Sequence, residues 1–312
     1  MLVLRAQRHP HIGQSRRDAR NLPNAVESAQ NAERCAPMPL RIVNSKQNPR
    51  VKELRRALSH PARPGRDLAG IEGPHLVEEA LLTGREIECI FAAQGAEHLL
   101  EPMPIPPGTE ILLLPKDILS AVLDTETPQP IAALIRLPDW TWQDLLRSAA
   151  GAAPLVLVLA GLQDPGNMGT ILRSAEAFGA TGIIALPGTV SAWNPKAVRA
   201  SAGSVLRLPL LVAGRETALP QLRKAGLRIW ATAAHGSHAA DRADLAGPAA
   251  LIVGNEGAGV PTDLAGEADG SLTIPCPGTV ESLNAAVAAS ILLYEASRQR
   301  ASQSQRTPRK AP

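Results

Sequence analysis

Cysteine is scarce in this chain of 312 residues, which has only Cys35, Cys89 and Cys276. An odd number of widely separated cysteines argues against a disulfide framework or a zinc cluster and is typical of a reducing cytoplasm. Long apolar runs are also missing, since none reaches the roughly 18 residues of a membrane span. The Arg-rich N-terminus lacks the apolar segment of a signal peptide. We therefore expect a cytoplasmic protein with no membrane segment and no metal site.

Two common nucleotide-binding motifs are absent from the turn after the apolar run at 155–160. Gly161 and Gly166 have P-loop spacing, but the next two residues are Asn and Met where Lys and Ser or Thr are required. No Gly-x-Gly-x-x-Gly follows this run, so a Rossmann dinucleotide site is unsupported as well. What remains is a Pro-Gly-Asn turn that begins a helix, for which a simple helix cap at Asn167 is one explanation.

Positive charge is concentrated in particular segments, although the net charge of the chain is only +3. Residues 298–312 carry five cations and no acid, and residues 41–66 carry eight cations against Glu53 alone. The second block indicates a phosphate-binding patch, and a solvated helix face is the alternative. Its candidate phosphate contacts are Arg50, Lys52, Arg55 and Arg56.

Composition and periodicity divide the chain into five segments. Residues 1–39 are rich in Arg, Asn, Gln and Pro without a sustained period, so we predict disorder there. Short apolar strands then alternate with helices, which predicts a small α/β domain. In the C-terminal half, continuous apolar strands linked by helices predict a parallel sheet covered on both faces. The predicted segments are a basic extension (1–39), an α/β domain (40–138), a linker (139–154), a parallel-sheet domain (155–300) and a basic tail (301–312).

Individual elements follow from the same patterns. A helix is predicted within residues 40–60, a strand at 206–212, and helices at 168–178 and 282–298. Gly179 is expected just after a helix end, where a left-handed residue commonly terminates a helix.

Three Gly- and Asn-rich turns, each following a predicted strand, are the most informative feature of the C-terminal half. They span residues 164–174, 253–259 and 274–287. Glycines let the backbone approach a ligand closely, and ligands of open α/β sheets bind outside the carboxyl ends of the strands. We therefore expect the three turns to form one composite pocket.

The order and spelling of these turns resemble motifs one, two and three of the SpoU (TrmH-like) branch of the SPOUT RNA methyltransferases. The similarity is close over residues 155–298 and looser over 41–140. The resemblance implies an α/β fold with a deep trefoil knot in the parallel-sheet SPOUT domain, and a smaller, ribosomal-protein-like α/β domain that binds the RNA substrate. It also implies S-adenosylmethionine as cofactor and a homodimer.

The resemblance gives Arg173 a catalytic role, because the family Arg at this place is proposed to prepare the ribose 2′-hydroxyl for attack. Otherwise a lone helix Arg is usually a surface charge. A guanidinium stays protonated to about pH 12, so we expect Arg173 to clamp the adjacent phosphate and position the hydroxyl rather than take its proton. The same resemblance completes the catalytic set with Asn167, Glu256, Ser282 and Asn284, although Ser282 could instead cap the last helix.

Cofactor and RNA contacts follow from the same comparison. The family binds its cofactor largely through backbone groups, and Gly254, Ile274 and Leu283 take those positions here. The two larger residues would also form an apolar slot for the adenine. Lys196 and Arg199 match the family between motifs one and two and would contact phosphate, with a solvated helix as the alternative.

The last predicted helix carries an apolar stripe at helical spacing: Leu283, Val287, Ile291 and Tyr294. It resembles the dimer-forming helix of the family, although a core stripe would have the same spacing.

Together the resemblance implies S-adenosylmethionine-dependent 2′-O-ribose methylation of RNA. Ribosomal RNA is favoured over transfer RNA because of the N-terminal domain, and that preference rests on domain analogy. The alternatives are a transfer RNA 2′-O-methyltransferase, a base methyltransferase, and a non-catalytic RNA-binding or ribosome-assembly factor with the same fold. The intact motif residues argue against the last of these.

Overall fold

The structure, a computed structural model, describes residues 40–62, 68–123, 125–148, 152–279 and 282–306. The predicted basic extension lies outside these residues. The described residues belong to one compact unit that contains a five-stranded and a seven-stranded sheet. We call the part around the five-stranded sheet the N-terminal lobe and the part around the seven-stranded sheet the C-terminal lobe. Among the described helices, none is long and apolar enough to cross a membrane.

The N-terminal lobe is a mixed sheet with three helices. Its strands are β1 (Leu40–Ile42), β2 (Leu68–Glu72), β3 (Ile87–Ala93), β4 (Glu110–Leu114) and β5 (Ile131–Arg136), and its helices are α1 (Pro49–Ser59), α2 (Pro74–Leu82) and α3 (Lys116–Leu123). The strand order is β1-β4-β3-β5-β2, with β5 antiparallel to both of its neighbours and the other pairs parallel. Continuous apolar runs place β3, β4 and β5 in the core, so this lobe has the α/β character that was predicted.

The beginning of this lobe differs from the helix predicted within residues 40–60. Leu40–Ile42 pairs with β4 as an edge strand, and α1 begins only at Pro49. The helix starts there because the Asn48 side chain accepts a hydrogen bond of 2.9 Å from the Arg50 N–H, and a proline fits the first helical position.

The C-terminal lobe is built on a fully parallel sheet, as the apolar strands predicted. Its strands are β6 (Leu155–Leu159), β7 (Gly182–Ala185), β8 (Leu210–Val212), β9 (Arg228–Thr232), β10 (His238–Ala239), β11 (Ala249–Val253) and β12 (Gly270–Thr273). Its helices are α4 (Trp142–Leu146), α5 (Pro165–Ala177), α6 (Pro195–Ala200), α7 (Arg215–Lys224), α8 (Thr262–Gly266) and α9 (Ala285–Arg306). The strand order is β10-β12-β9-β11-β6-β7-β8, and β6 and β11 are buried along their whole length.

Only the end of the strand predicted at 206–212 is a strand. Gly203, with φ of +91°, precedes a 3-10 turn at Ser204–Leu206, and β8 is limited to Leu210–Val212. Two further elements escaped prediction because they are too short to show a period: β10 has two residues and α8 has five.

Capping side chains set the starts of the two helices that border the three turns. Helix α5 begins at Pro165, three residues before its predicted start, because the Asp164 carboxylate accepts a hydrogen bond of 2.8 Å from the Asn167 N–H. Asp164 is therefore the cap, and Asn167 is free to act elsewhere. Helix α9 begins at Ala285, later than predicted, and continues past its predicted end. Gly179 follows α5 with φ of +77°, as expected for a helix end.

Helix α5 packs against both α6 and α9. A Cβ added at Gly169 would lie 2.5 Å from the carbonyl oxygen of Ala197, so only a glycine lets α5 approach α6 this closely. Toward α9, the hydroxyl groups of Ser174 and Ser290 share a hydrogen bond of 2.7 Å. The turns that begin α5 and α9 are thereby held side by side.

Candidate active site

The three turns lie at the carboxyl edge of the seven-stranded sheet. Counted from the end of the preceding strand, turn one covers residues 160–167 after β6, and turn two covers 254–260 after β11. These two strands are direct neighbours, with Leu159 opposite Val253. Turn three, described over residues 274–279 and 282–284, follows β12, which is separated from β11 only by β9. Strands β6, β7 and β8 lie on one side of β11. Strands β9, β12 and β10 lie on its other side. This reversal of strand order is the topological switch point at which open α/β sheets bind ligands.

A chain of side-chain hydrogen bonds joins the three turns. The Nδ2 of Asn284, in turn three, donates to the Oδ1 of Asn167 at 3.0 Å. The Nδ2 of Asn167 in turn donates to Oε1 of Glu256, in turn two, also at 3.0 Å. The Glu256 carboxylate then accepts hydrogen bonds from the backbone N–H groups of Gln163 (3.2 Å) and Asp164 (3.1 Å) in turn one. Three of the predicted catalytic residues thus lie in one network, which we call the amide chain.

The direction of the amide chain is fixed at both ends. At one end, Oδ1 of Asn284 accepts hydrogen bonds from the N–H groups of Ala286 (2.9 Å) and Val287 (3.2 Å), so Asn284 caps α9. Its Nδ2 must then face Asn167. At the other end, Glu256 receives only donors, so the amide of Asn167 must turn its nitrogen toward Glu256. Each amide has a single orientation that satisfies both neighbours.

The carboxylate that ends the amide chain is held in its charged form. Partial burial alone would raise the pKa of Glu256, but the hydrogen bonds from Asn167 and from the backbone of Asp164 and Gln163 outweigh it and lower this pKa below its ordinary value. The pKa of Asp164 is also lowered, first by the hydrogen bond from the Asn167 N–H and then by Lys196, whose Nζ lies 3.4 Å away. Both acids are therefore ionised at neutral pH.

Two further residues, Asn255 and Gln163, tie the turns together and were not predicted. The Nδ2 of Asn255 donates to the Gly161 carbonyl at 2.9 Å. The Nε2 of Gln163 donates to the same carbonyl (3.0 Å) and to the carbonyl of Gly188 (2.7 Å), in the turn after β7. Asn255 stands directly between the motif residues Gly254 and Glu256, which was a usable signal, whereas Gln163 had none in the sequence.

Gly254 lies against the backbone of its own turn, where a side chain has no room. A Cβ added there would lie 2.1 Å from the carbonyl carbon of Gly259 and 2.2 Å from the backbone nitrogen of Val260. The turn closes on itself through two backbone hydrogen bonds between Asn255 and Gly259, of 3.0 and 2.9 Å. The glycine is therefore required by the shape of turn two, whatever its backbone also contacts.

The residues of turn three fit a cofactor bound by backbone groups and apolar contact. Ile274 and Leu283 are both half-buried, which leaves apolar surface exposed beside the switch point. Between Ile274 and Gly278, no backbone N–H or carbonyl bonds to another residue that the structure describes. These groups are available to a ligand. By contrast, the described residues contain no group of three His, Cys, Asp or Glu side chains that could hold a metal ion.

Arg173 and Ser282 lie near the amide chain but outside it. Arg173 is exposed on α5, six residues after Asn167 and so about 9 Å further along the helix axis. Its guanidinium bonds to none of the residues that the structure describes, so it is free to meet a substrate. Ser282 is exposed in turn three and does not cap α9, because Asn284 does.

The basic block of the N-terminal lobe contains both bound and free cations. The Arg50 guanidinium contacts the carboxylates of Glu53 (3.0 Å), Glu88 (3.5 Å) and Glu110 (3.1 Å), and the first of these raises its pKa most. This arginine joins α1 to two strands of the sheet, so its charge is used within the fold. In the same helix, three other cations are exposed and have no partner among the described residues: Lys52, Arg55 and Arg56.

The two remaining RNA-binding candidates are each near a carboxylate. Lys196 is paired with Asp164 at the start of α5, and its side chain is 60% exposed. The Nη1 of Arg199 lies 4.0 Å from Oε2 of Glu72, a residue of the N-terminal lobe. Only Lys196 is therefore well placed at the open edge of the three turns.

Comparison with known proteins agrees with this geometry. The SpoU rRNA Methylase family matches residues 154–294, and the MRM3-like substrate binding domain matches residues 48–133. The 23S rRNA (guanosine(2553)-2′-O)-methyltransferase RlmP of Bacillus subtilis is 34% identical over 255 residues, which are 82% of this chain and 98% of that protein. The chain belongs to the SpoU methylase family. It is an RNA methyltransferase, and its cofactor is S-adenosylmethionine.

Solved structures give the same result for the fold. The AdoMet-bound rRNA methyltransferase from Sinorhizobium meliloti superposes with a TM-score of 0.73 and 31% identity, covering 83% of this chain and 98% of that one. The SpoU methyltransferase AviRb from Streptomyces viridochromogenes, in complex with AdoMet, has a TM-score of 0.72 and 27% identity, covering 82% and 99%. The predicted family, fold class and cofactor are thus confirmed.

Asn284 offers a way to separate helix capping from the amide chain. In Asn284→Asp, a carboxylate oxygen still caps α9, but no group donates to Oδ1 of Asn167, which then faces a second oxygen. Rotating the Asn167 amide would remove this repulsion but would place its oxygen against the Glu256 carboxylate instead. We expect stability within about 0.5 kcal/mol of the parent and a transfer rate at least about tenfold lower. Asn284→Ala should lose about 1 kcal/mol as well, the usual value of a cap.

Urea unfolding and single-turnover methyl transfer measure the two effects. The control is Asn194→Asp, which changes the cap of α6, where Oδ1 of Asn194 accepts from the Lys196 N–H at 2.9 Å without a side-chain network. Equal transfer by Asn284→Asp and the parent would show that the amide chain is not needed for the reaction.

Proposed function

We propose that this protein transfers the methyl group of S-adenosylmethionine to a ribose 2′-hydroxyl of ribosomal RNA. The observation that carries the proposal is the amide chain, which closes three separate motif turns around the switch point of a parallel sheet. The choice of ribosomal RNA is supported by the name of the Bacillus subtilis relative, a 23S rRNA 2′-O-methyltransferase. A transfer RNA substrate remains the alternative.

The cofactor supplies an electrophilic methyl group on a sulfonium, which needs in-line geometry more than a strong base. In our proposal, turn three offers its open backbone groups and the apolar side chains of Ile274 and Leu283 to this cofactor, with the backbone of Gly254 beside them. The amide chain holds these turns at a fixed separation. Ser282, exposed in turn three, faces the substrate side.

Arg173 then acts on the RNA. Its free, exposed guanidinium can hold a phosphate through two parallel hydrogen bonds. Such a clamp fixes the neighbouring ribose, so that the 2′-oxygen is held close to the methyl carbon, and positioning of this kind accounts for several kcal/mol of rate enhancement. When the methyl group moves, the O–C bond forms as the S–C bond breaks, and S-adenosylhomocysteine leaves. The hydroxyl proton passes to solvent and not to Arg173, because a guanidinium remains protonated at neutral pH.

The N-terminal lobe is proposed as the RNA-holding domain, with the boundaries predicted from the sequence. The support is the row of free cations on α1, Lys52, Arg55 and Arg56, together with the match to a substrate-binding domain. Lys196 would extend the phosphate contacts to the edge of the active site. Lys196 is kept because its side chain is 60% exposed despite the contact with Asp164. Arg50 and Arg199 are left out because their guanidinium groups face carboxylates of the N-terminal lobe, Arg50 three of them and Arg199 the buried Glu72.

A homodimer through α9 is the proposed assembly. Val287, Ile291 and Tyr294 occupy successive turns of one helix face and are 47%, 38% and 55% exposed, so this stripe is not part of the core. Contiguous apolar surface of this kind is typical of an interface. Because α9 packs beside α5, the partner copy would lie close to Arg173. The trefoil knot and the cytoplasmic location stay predictions.

The role of Arg173 can be tested by substitution. Arg173→Ala should lower the single-turnover rate at saturating RNA and cofactor on the order of 100-fold or more, because a charge placed for the transition state is lost. Arg173→Lys should recover little, since an ammonium lacks the planar two-point contact. The affinity for S-adenosylmethionine, measured by calorimetry, should stay at the parental value. The control is Arg242→Ala, an exposed arginine outside the motifs. If Arg173→Ala transfers at the parental rate, Arg173 is only a surface charge and has no role in the reaction.

RNA binding by α1 should appear in the salt dependence of affinity. Each phosphate contact contributes a slope of roughly −0.7 to −0.9 in log K against log salt, so replacing Lys52, Arg55 and Arg56 by alanine should flatten the slope by about 2 to 3. The control replaces three exposed cations elsewhere: Lys116, Lys224 and Arg242. If both triple variants keep the parental slope, the block on α1 is only a solvated helix face.

The dimer is tested by placing a charge on the α9 stripe. Ile291→Glu should convert the protein to monomers at micromolar concentration, because burying an unpaired carboxylate in an apolar interface is strongly unfavourable. Sedimentation equilibrium measures the mass directly. The control is Val212→Glu, which places the same charge on β8 at a residue that is 67% exposed. A dimer that persists in Ile291→Glu would mean that the interface lies elsewhere.

A further inference from the structure

The two lobes meet through paired charges as well as through packing. Arg207 of the C-terminal lobe bonds to the Glu79 carboxylate on α2 of the N-terminal lobe. Nearby, the Nη1 of Arg199 lies 4.0 Å from Oε2 of Glu72, at the end of β2. Helix α6, which carries Arg199, packs against β2. We call this boundary the lobe seam, formed by Glu72, Glu79 and the segment 199–207.

Arg207 contacts both lobes with one guanidinium. Besides Glu79, it binds the Glu176 carboxylate on α5 through two hydrogen bonds, of which Nη2 to Oε2 measures 2.9 Å. The side chains of Arg207, Glu79 and Glu176 are 32%, 25% and 31% exposed, so solvent screens these contacts less than it screens a surface ion pair. Glu176 lies three residues after Arg173 on α5. One cation thus links α2 to the helix that carries Arg173.

The backbone of the seam is shaped for this contact. Ala202 and Gly203 are both left-handed, with φ of +49° and +91°, and a left-handed alanine is uncommon. A Cβ added at Gly203 would lie 3.2 Å from Nη1 of Arg207 and 3.4 Å from Cγ of Glu79. Gly203 therefore leaves room for both side chains, which a larger residue would crowd. Backbone strain of this kind persists where the surrounding structure requires it.

The contact between Arg199 and Glu72 also serves the fold of the protein itself. Its side chain is 3% exposed, and its Oε1 accepts hydrogen bonds from the Thr125 hydroxyl and the Gln129 N–H, both at 3.0 Å. Its Oε2 has no hydrogen-bond donor among the described residues. A buried carboxylate without a compensating charge is strongly unfavourable, so moving Arg199 onto RNA would destabilise the seam.

We propose that Arg207 is a positioning residue for methyl transfer. Through Glu79 and Glu176 it fixes the N-terminal lobe relative to α5, so that RNA held by the first lobe reaches Arg173 in a single register. Arg207 touches no reacting atom in this role. The proposal rests on the proposed function, because the register matters only if the N-terminal lobe holds the RNA that is methylated.

The test removes the cross-lobe contact and leaves the rest of the seam in place. Glu79→Gln removes the negative charge that faces Arg207 from the N-terminal lobe. It keeps both hydrogen bonds between Arg207 and Glu176. The control is Glu78→Gln, the same change on the same helix at an exposed residue without a partner among the described residues. Both variants are compared with the full-length parent.

Glu79→Gln should lower the single-turnover rate at saturating RNA and cofactor by about tenfold or more, since a misplacement of about 1 Å can cost on the order of 100-fold. Its S-adenosylmethionine affinity and unfolding midpoint should match those of Glu78→Gln, which a general loss of structure would not allow. Combining Glu79→Gln with Arg207→Gln should cost no more than Arg207→Gln alone, because both act on one contact. Transfer by Glu79→Gln at the control rate overturns the positioning role.

Amide hydrogen exchange gives a readout that does not depend on activity. Glu79→Gln should accelerate exchange on both sides of the seam, in residues 72–82 and 199–208, while Glu78→Gln leaves the second segment unchanged. If the parent transfers no methyl group, the proposed function fails. The exchange measurement then still tests whether Glu79 and Arg207 couple the two lobes. Unchanged exchange at residues 199–208 would show that they do not.

Discussion

The hydrogen-bonded chain from Asn284 through Asn167 to Glu256 is the interaction that joins the three turns of the candidate active site. It links Asn167 in turn one to residues 89 and 117 positions later in the sequence, and the three turns follow three different strands. No other contact among the described side chains spans all three. The ionised carboxylate at one end and the cap of α9 at the other leave each amide a single orientation, so the network positions the turns and not merely their side chains.

The packing around this chain keeps it in place. Gly169 lets α5 approach α6 closely, and Gly254 lets turn two fold back on itself. Because α5 also carries Arg173 and is bound by Arg207 through Glu176, one helix connects the three turns, the proposed substrate contact and the N-terminal lobe. The exposed cations of α1 lie on that lobe, so in the proposed function a link between the lobes would position the RNA for the reaction.

Much of this architecture could be predicted from the sequence, because apolar runs bounded by Pro or Gly set the strands and helices. The parallel sheet of the C-terminal lobe and the helix end before Gly179 were both predicted. The helix caps were not: Asp164 replaces Asn167, and Asn284 replaces Ser282, because the cap is the residue just before the helix, and the helices begin at Pro165 and Ala285. The three-way pairing of Arg50 also escaped prediction, since two of its acids are 38 and 60 residues away. The grouping of the motif residues followed from the family resemblance, whereas their hydrogen bonds required the structure.

The central claim is that the protein methylates a ribose in ribosomal RNA, and the most direct measurement maps the methyl group itself. Purified protein is incubated with isotope-labelled S-adenosylmethionine and with total RNA from cells that lack this protein. Alkaline cleavage then locates the label, since a 2′-O-methyl group protects the adjacent phosphodiester. The account predicts label at a single protected position in ribosomal RNA. Label on a base, label confined to transfer RNA, or no transfer at all would contradict it.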